Sequence, residues 1–128
     1  MDVDSSAARR TAEKFGVPCL SWESMLNHPD IDVICICTPS GLHASQAIDT
    51  ARSGKHALVE KPMALTLDDC DRMAAAAERA GVRFMMAYQM RHDPSNRKIK
   101  EILEAGVLGR VSLFRRRHSI PVLFNEDF

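Results

Sequence analysis

Apolar positions along the chain change their spacing several times, and each change marks an element. Ala8, Ala12 and Phe15 follow helical spacing, Asp4 or Ser5 stands where a cap is needed, and Gly16 is placed to end the helix in the left-handed conformation. Val17-Pro18-Cys19-Leu20 reads as short and extended. Ser21 can cap a brief helix through Met25 and Leu26, which Asn27-His28-Pro29-Asp30 breaks. Val33-Ile34-Cys35-Ile36-Cys37 is apolar without alternation, as expected of a strand covered on both faces, and Thr38-Pro39-Ser40-Gly41 ends it.

Ala44, Ala47, Ile48 and Ala51 recur at helical spacing up to Gly54, and Ala57-Leu58-Val59 then reads as a second buried strand ending at Glu60-Lys61-Pro62. Thr66 with Asp69 forms a variant capping box. Leu67, Cys70, Met73, Ala74 and Ala77 share one face of the helix that follows, and Gly81 stops it before a third apolar run, Val82 to Ala87. Asp93-Pro94 is a preferred cap and first-turn pair for a helix with an apolar stripe of Ile99, Ile102 and Leu103, stopped at Gly106. Val111 and Leu113 alternate with Ser112 and Phe114 in a last candidate strand.

Three buried strands separated by single helices require crossover connections, hence a parallel sheet of the α/β doubly wound class. Such sheets gather function just beyond the carboxyl ends of their strands. Here those ends read Thr38-Pro39-Ser40, Glu60-Lys61-Pro62 and Tyr88-Gln89.

Composition narrows the classes. The chain has 128 residues with 17 Lys and Arg against 17 Asp and Glu, so no global field collects nucleic acid or anionic lipid, and neither is expected as a partner. No apolar stretch approaches the roughly 20 residues that span a bilayer, and the opening Met-Asp-Val-Asp-Ser-Ser is no signal peptide. Cys19, Cys35, Cys37 and Cys70 lack C-x-x-C spacing and are too sparse to staple a secreted fold, so the expected setting is reducing and cytoplasmic. Cys35 and Cys37 would face one way on a strand. With no further Cys or His at ligand spacing, buried packing is the favoured reading over a soft-metal pair, and no metal is expected.

Lys61 carries the most suggestive chemistry, because it stands at the sheet's carboxyl edge and Pro62 holds its backbone extended. A lysine made less basic by partial burial can exchange protons near neutrality; the competing reading is a surface lysine in a loop. Glu60 could hold that ammonium or simply end the strand. Thr38-Pro39, followed by a helix starting near Gly41 or Leu42, offers N–H groups to an anion or an amide, and His43 in the first turn would point across the same edge or bond locally. His28, His56, His92 and His118 form no triad or metal spacing and read as structural or solvated. Arg115-Arg116-Arg117 would alternate faces on a strand and reads as a solvated edge. Neither G-x-G-x-x-G nor G-x-x-x-x-G-K-[ST] occurs, so nothing in the sequence cradles a diphosphate by itself.

Taken together, Thr38-Pro39-Ser40-Gly41-Leu42-His43, then Gly54-Lys55-His56-Ala57-Leu58-Val59-Glu60-Lys61-Pro62, then the Thr66 and Asp93-Pro94 helices, resemble the Gfo/Idh/MocA family, the glucose-fructose oxidoreductase and inositol dehydrogenase group. The match runs from about Asp2 to Phe114. The resemblance implies an N-terminal Rossmann domain for NAD or NADP and a C-terminal α/β domain that builds a substrate pocket. The implied reaction moves a hydride between nicotinamide and a hydroxyl-bearing carbon of a sugar, cyclitol or polyol. By position, Lys61 would orient the substrate and assist proton transfer, and Glu60 and Pro62 would complete its motif on the cofactor side, with a cis Lys61-Pro62 bond possible. Thr38, Pro39 and His43 would line the nicotinamide half. Asp2 would match the acidic residue that ends the second Rossmann strand and bonds the adenosine ribose in NAD-preferring members. Gln89 and Arg91 would lie near the substrate entrance.

The family opens with a strand and a glycine-rich turn that these residues do not include, and it continues through a second domain. The implied chain is therefore truncated at both ends. Residues 1–90 would be a partial NAD(P)-binding Rossmann-like domain, and residues 91–128 the beginning of the substrate and oligomerisation domain. Such a chain would hold the cofactor weakly and turn nothing over. In the 3-2-1-4-5-6 strand order, Val33 to Cys37 would have an unpaired edge, covered by another copy in a homo-oligomer or by the rest of a longer gene product. Two other readings stay open: a non-catalytic assembly or regulatory module, and binding of a nucleotide monophosphate at the Thr38 and Lys61 edge.

Overall fold

The computed structural model describes residues 1–117. The elements in chain order are α1 (Ser5–Phe15), α2 (Trp22–Asn27), β1 (Val33–Ile36), a 3-10 turn (Ser40–Leu42), α3 (His43–Arg52), β2 (His56–Val59), α4 (Leu67–Ala80), β3 (Phe84–Met86), a second 3-10 turn (Gln89–Arg91) and α5 (Pro94–Glu104). Local chemistry sets the boundaries. The Asp4 carboxylate accepts from the N–H groups of Ser6 and Ala7, Ser21 Oγ accepts from Ser24, and Thr66 Oγ1 accepts from Asp69. Asp69 returns the favour unconventionally, taking the Thr66 hydroxyl proton rather than its backbone N–H. At the other ends of α1 and α4, Gly16 (φ 64°) and Gly81 (φ 66°) adopt the left-handed conformation that closes each helix.

The strands form one parallel sheet in the order β1-β2-β3, with Ile36 beside Val59 and Val59 beside Met86. One face of that sheet is the core. Ile34, Ile36, Ala57 and Val59 point into a cluster with Ala47, Ile48 and Ala51 of α3 and Met73 and Ala76 of α4, and Phe84, Met86, Trp22 and Met25 pack around it. Lys55 closes the lower corner: its buried ammonium donates to the carbonyls of His28 and Ile31, both at 2.7 Å.

The expectation that the first strand is covered on both faces is corrected. Ile34 and Ile36 are buried, but Val33 is 51% exposed and Cys35 and Cys37 are exposed. Both crossover helices pack on the same side, so the face carrying Val33, Cys35 and Met85 meets no helix among the described residues. The buried packing expected of Cys35 and Cys37 is absent for the same reason. No group of three metal-ligating side chains occurs among the described residues.

Contacts divide the chain into two compact units, Met1–Tyr88 and Gln89–Phe128. In the second, Asp93 caps α5 through Ser95 and Asn96 with Pro94 in the first turn, and the Asn96 side-chain amide donates to the Met90 carbonyl at 2.7 Å. The strand expected at Val111 to Phe114 does not form. Alternation alone makes no strand without a partner ladder, and Val111, Leu113 and Phe114 are all exposed. Arg116 instead reaches α5, donating from Nη1 to Asn96 Oδ1 at 3.1 Å. His118 lies outside the described residues.

Candidate functional site

Parallel pairing in register makes β1 and β2 finish together. The Glu60 N–H donates to the Ile36 carbonyl at 2.9 Å, so Cys37-Thr38-Pro39 and Glu60-Lys61-Pro62 leave the sheet at one rim. His43 ties these two exits. It opens α3 directly after the Ser40–Leu42 turn, is buried, and sets Nε2 2.8 Å from the Thr38 carbonyl and Nδ1 2.7 Å from the Pro62 carbonyl. Both partners accept only, and a neutral imidazole can donate to one of them at a time. One turn further along α3, Gln46 Oε1 accepts the Thr38 hydroxyl at 2.6 Å. The Lys61-Pro62 bond is cis.

Against this rim lies a cavity of about 330 Å³, lined by Asp2, Thr38 and Pro39 together with Cys37, Leu42 and Gln46, and floored by Trp22 and Met25. Asp2 is exposed, and its carboxylate accepts the Asp4 N–H at 2.9 Å. It ends no strand, because residues 1–4 are irregular. The lining suits part of a dinucleotide: a carboxylate for ribose hydroxyls and apolar walls for a ring. Among the described residues no Lys or Arg lines it, so they offer a diphosphate no counter-charge there.

The structure therefore brings Asp2, Thr38 and Pro39 around one cavity and ties Pro62 to Thr38, but it revises several side chains. His43 does not point across the rim; helix and loop enclose it, and both its nitrogens are engaged. Lys61 is exposed rather than partly buried. The Glu60 carboxylate accepts the backbone N–H of Lys61 at 3.2 Å and forms no ion pair with its ammonium among the described residues. Gln89 and Arg91 form the 3-10 turn that opens the second unit. His28 and His56 are acceptors, each taking a backbone N–H on Nδ1: His28 locally from Asp30, and His56 from Arg83, 27 residues on. Sequence reasoning missed Gln46, although its place three residues beyond His43, on the same side of α3, was a signal.

Comparison with known proteins bears on the same residues. The family model described as an oxidoreductase family with an NAD-binding Rossmann fold, GFO_IDH_MocA, matches residues 1–88. The chain belongs to this family. It is 44% identical over 102 residues to a 1-carboxy-3-chloro-3,4-dihydroxycyclo hexa-1,5-diene dehydrogenase of Comamonas testosteroni, covering 80% of this chain and 26% of that protein. It is 34% identical over 116 residues to levoglucosan dehydrogenase of Pseudarthrobacter phenanthrenivorans, covering 89% and 30%. The crystal structure of the WlbA dehydrogenase from Bordetella pertussis, in complex with NADH and UDP-GlcNAcA, matches with a TM-score of 0.79 at 35% identity, over 85% of this chain and 32% of that one. The chain thus spans about a third or less of each of these relatives. As a Gfo/Idh/MocA member it carries the Thr38-Pro39 and Glu60-Lys61-Pro62 exits on a parallel α/β sheet, and no helix among its described residues is long and apolar enough to cross a membrane.

Proposed function

We propose that this chain supplies the nicotinamide-side rim of an NAD- or NADP-dependent oxidoreductase acting on a hydroxyl-bearing carbon of a sugar, cyclitol or polyol. The observation that carries the proposal is the His43 bridge, because it holds the Thr38 and Pro62 carbonyls, and with them the two motif-bearing exits, at one place on the sheet. Bound there, the nicotinamide supplies hydride acceptance and donation. Thr38 and Pro39 form one wall for it, Asp2 accepts from a ribose hydroxyl, and His43 acts as a positioning residue behind the wall. Glu60 holds the Lys61 backbone at the rim, and the exposed ammonium would orient a substrate hydroxyl and exchange its proton. Residues 91–128 would begin the substrate and oligomerisation domain, with Gln89 and Arg91 near the substrate entrance.

Without a cation at the cavity, the 128-residue chain alone is expected to bind the cofactor weakly and to be inactive. Titration of NADH fluorescence tests both parts. The chain by itself should show no saturable micromolar binding, whereas the chain fused to the parts of a full-length family member that it does not span should bind, and Lys61→Ala in that fused product should lower kcat about 10²- to 10⁴-fold while leaving NADH affinity unchanged. Turnover of myo-inositol or glucose by the short chain would overturn the inactive reading; a Lys61→Ala product with full turnover would overturn the catalytic one.

The uncovered face at Val33 and Cys35 favours a second reading, an assembly module in which another copy covers the sheet. Light scattering separates the two: a stable dilute monomer excludes self-assembly.

A further inference from the structure

The zero net charge of the whole chain conceals a local imbalance. Residues 89–117 hold eight Lys and Arg against three Asp and Glu. Part of that excess converges on one cleft of about 370 Å³ lined by Met90, Arg91, Asn96, Arg97, Lys100 and Arg116, drawn from the second 3-10 turn, from α5 and from the segment after it. Asn96 organises the cleft. Its side-chain N–H donates to the Met90 carbonyl, which turns Oδ1 toward Arg116, and the Arg116 Nη1 donates to that oxygen. A guanidinium has five N–H donors, so Arg116 is fixed by one and keeps four to offer. Lys100 approaches Glu104 at 3.5 Å, but both side chains are largely exposed, and such a pair adds little against solvent and salt. Among the described residues no carboxylate lines the cleft.

We propose that this cleft binds a phosphate-bearing small molecule. The planar forks of Arg97 and Arg116 match the oxygens of a phosphate ester, Lys100 adds a point charge, and Met90 offers an apolar contact to the organic part. Charges within a Debye length of about 8 Å act together on a dianion, and four cationic side chains line this one cleft. Neither nicotinamide nor Lys61 enters this binding, so its failure leaves the redox reading standing, and the reverse also holds.

The test follows amide chemical shifts of the full chain by NMR as glucose 6-phosphate, inorganic phosphate, glucose or glucuronate is added. Glucose 6-phosphate should shift residues 90, 91, 96, 97, 100 and 116 saturably, inorganic phosphate more weakly, and glucose not at all. Arg97→Ala and Arg116→Ala should each weaken binding about tenfold, the scale of one charge-assisted bond. Asn96→Asp should weaken it as well, by placing a carboxylate beside Arg116. The double substitution Arg115→Ala, Arg117→Ala, outside the lining, should change affinity less than twofold, and unchanged shifts in residues 1–88 confirm that the variants fold. Equal losses from the double substitution and from Arg97→Ala, shifts that never saturate, or glucuronate binding as tightly as glucose 6-phosphate would each overturn the proposal.

Discussion

His43 holds the carbonyl of Pro62 at 2.7 Å across 19 residues of sequence, joining the start of α3 to the loop after β2. The second ring nitrogen, 2.8 Å from the Thr38 carbonyl, places the histidine between the two loops. Removing it takes away the one N–H donor that these two carbonyls share. His43→Phe should therefore destabilise the first unit by about 1–3 kcal/mol, the cost of leaving a buried acceptor without its donor, and His43→Gln, whose amide can still donate to one carbonyl, by less. Urea unfolding followed by tryptophan fluorescence reads the difference, since Trp22 packs on the same core. Equal stability of the Phe variant and the parent would show that the bridge is idle.

Lys55 does for the opposite end of the sheet what His43 does for the rim. The residue is 8% exposed, and its ammonium is satisfied by two carbonyls from the loop before β1. Lys55→Met keeps the stem and deletes the donor, so both carbonyls lose a charged partner. The expected cost is about 2–4 kcal/mol, seen as a lower urea midpoint with an unchanged slope. Lys55→Arg should not fully rescue it, because the guanidinium is larger and planar and cannot take the place of the compact ammonium in this buried corner.

These two side chains also mark where the sequence stopped being readable. Caps and helix stops were legible because each depends on a few adjacent residues, as at Asp4, Ser21, Thr66, Gly81 and Asp93. The parallel order followed from single helices between apolar runs. The Lys61 rim followed from motif and topology together. For His43 the local bond, to the Thr38 carbonyl five residues away, was among the readings the sequence offered, but its bond to Pro62 and the two bonds of Lys55 were not legible, since each spans 19 or more residues and a carbonyl partner leaves no residue signature. The apolar Val33-Cys35 face misled for a related reason: periodicity reports what a strand is suited to meet, not whether a covering element is at hand. At Val111 to Phe114 the alternation was present and the partner ladder was not.

Helix α1 should be the first element to open. It buries no residue, and its order rests on the Asp4 cap and the Gly16 stop. Its backbone amides should exchange with solvent faster than those of α3, which buries His43, Ala47, Ile48, Thr50 and Ala51. Bonds from the Ser6 hydroxyl and from the Ala7 and Ser6 N–H groups hold the Asp4 carboxyl below its ordinary value of 3.8. A depressed folded-state value means the cap stabilises fully above that ordinary value and is lost as pH falls through the folded one. NMR shifts of the Ser6 and Ala7 amides should therefore hold steady from neutrality down past pH 5 and change only at lower pH. Asp4→Ala should abolish that step and leave α1 frayed at every pH.

The two faces of β1 give the sharpest contrast, because neighbouring residues on one strand should respond in opposite ways. Ile36 is 2% exposed within the core cluster, and Ile36→Ala removes three buried carbons where Val59 and the α3 side chains cannot collapse freely. The cost should fall within about 2–5 kcal/mol. Val33, three residues earlier on the other face, is 51% exposed, so Val33→Ser should change the stability of this chain by no more than about 0.5 kcal/mol. The same substitution then reports what covers that face. If another copy seats on it, Val33→Ser should lower the association constant while leaving the monomer's unfolding unchanged, because a polar group enters a surface buried only in the complex. Sedimentation across a concentration series separates the outcomes: a loss of monomer stability above 1 kcal/mol, with no change in association, would mean that Val33 is already buried within a single chain.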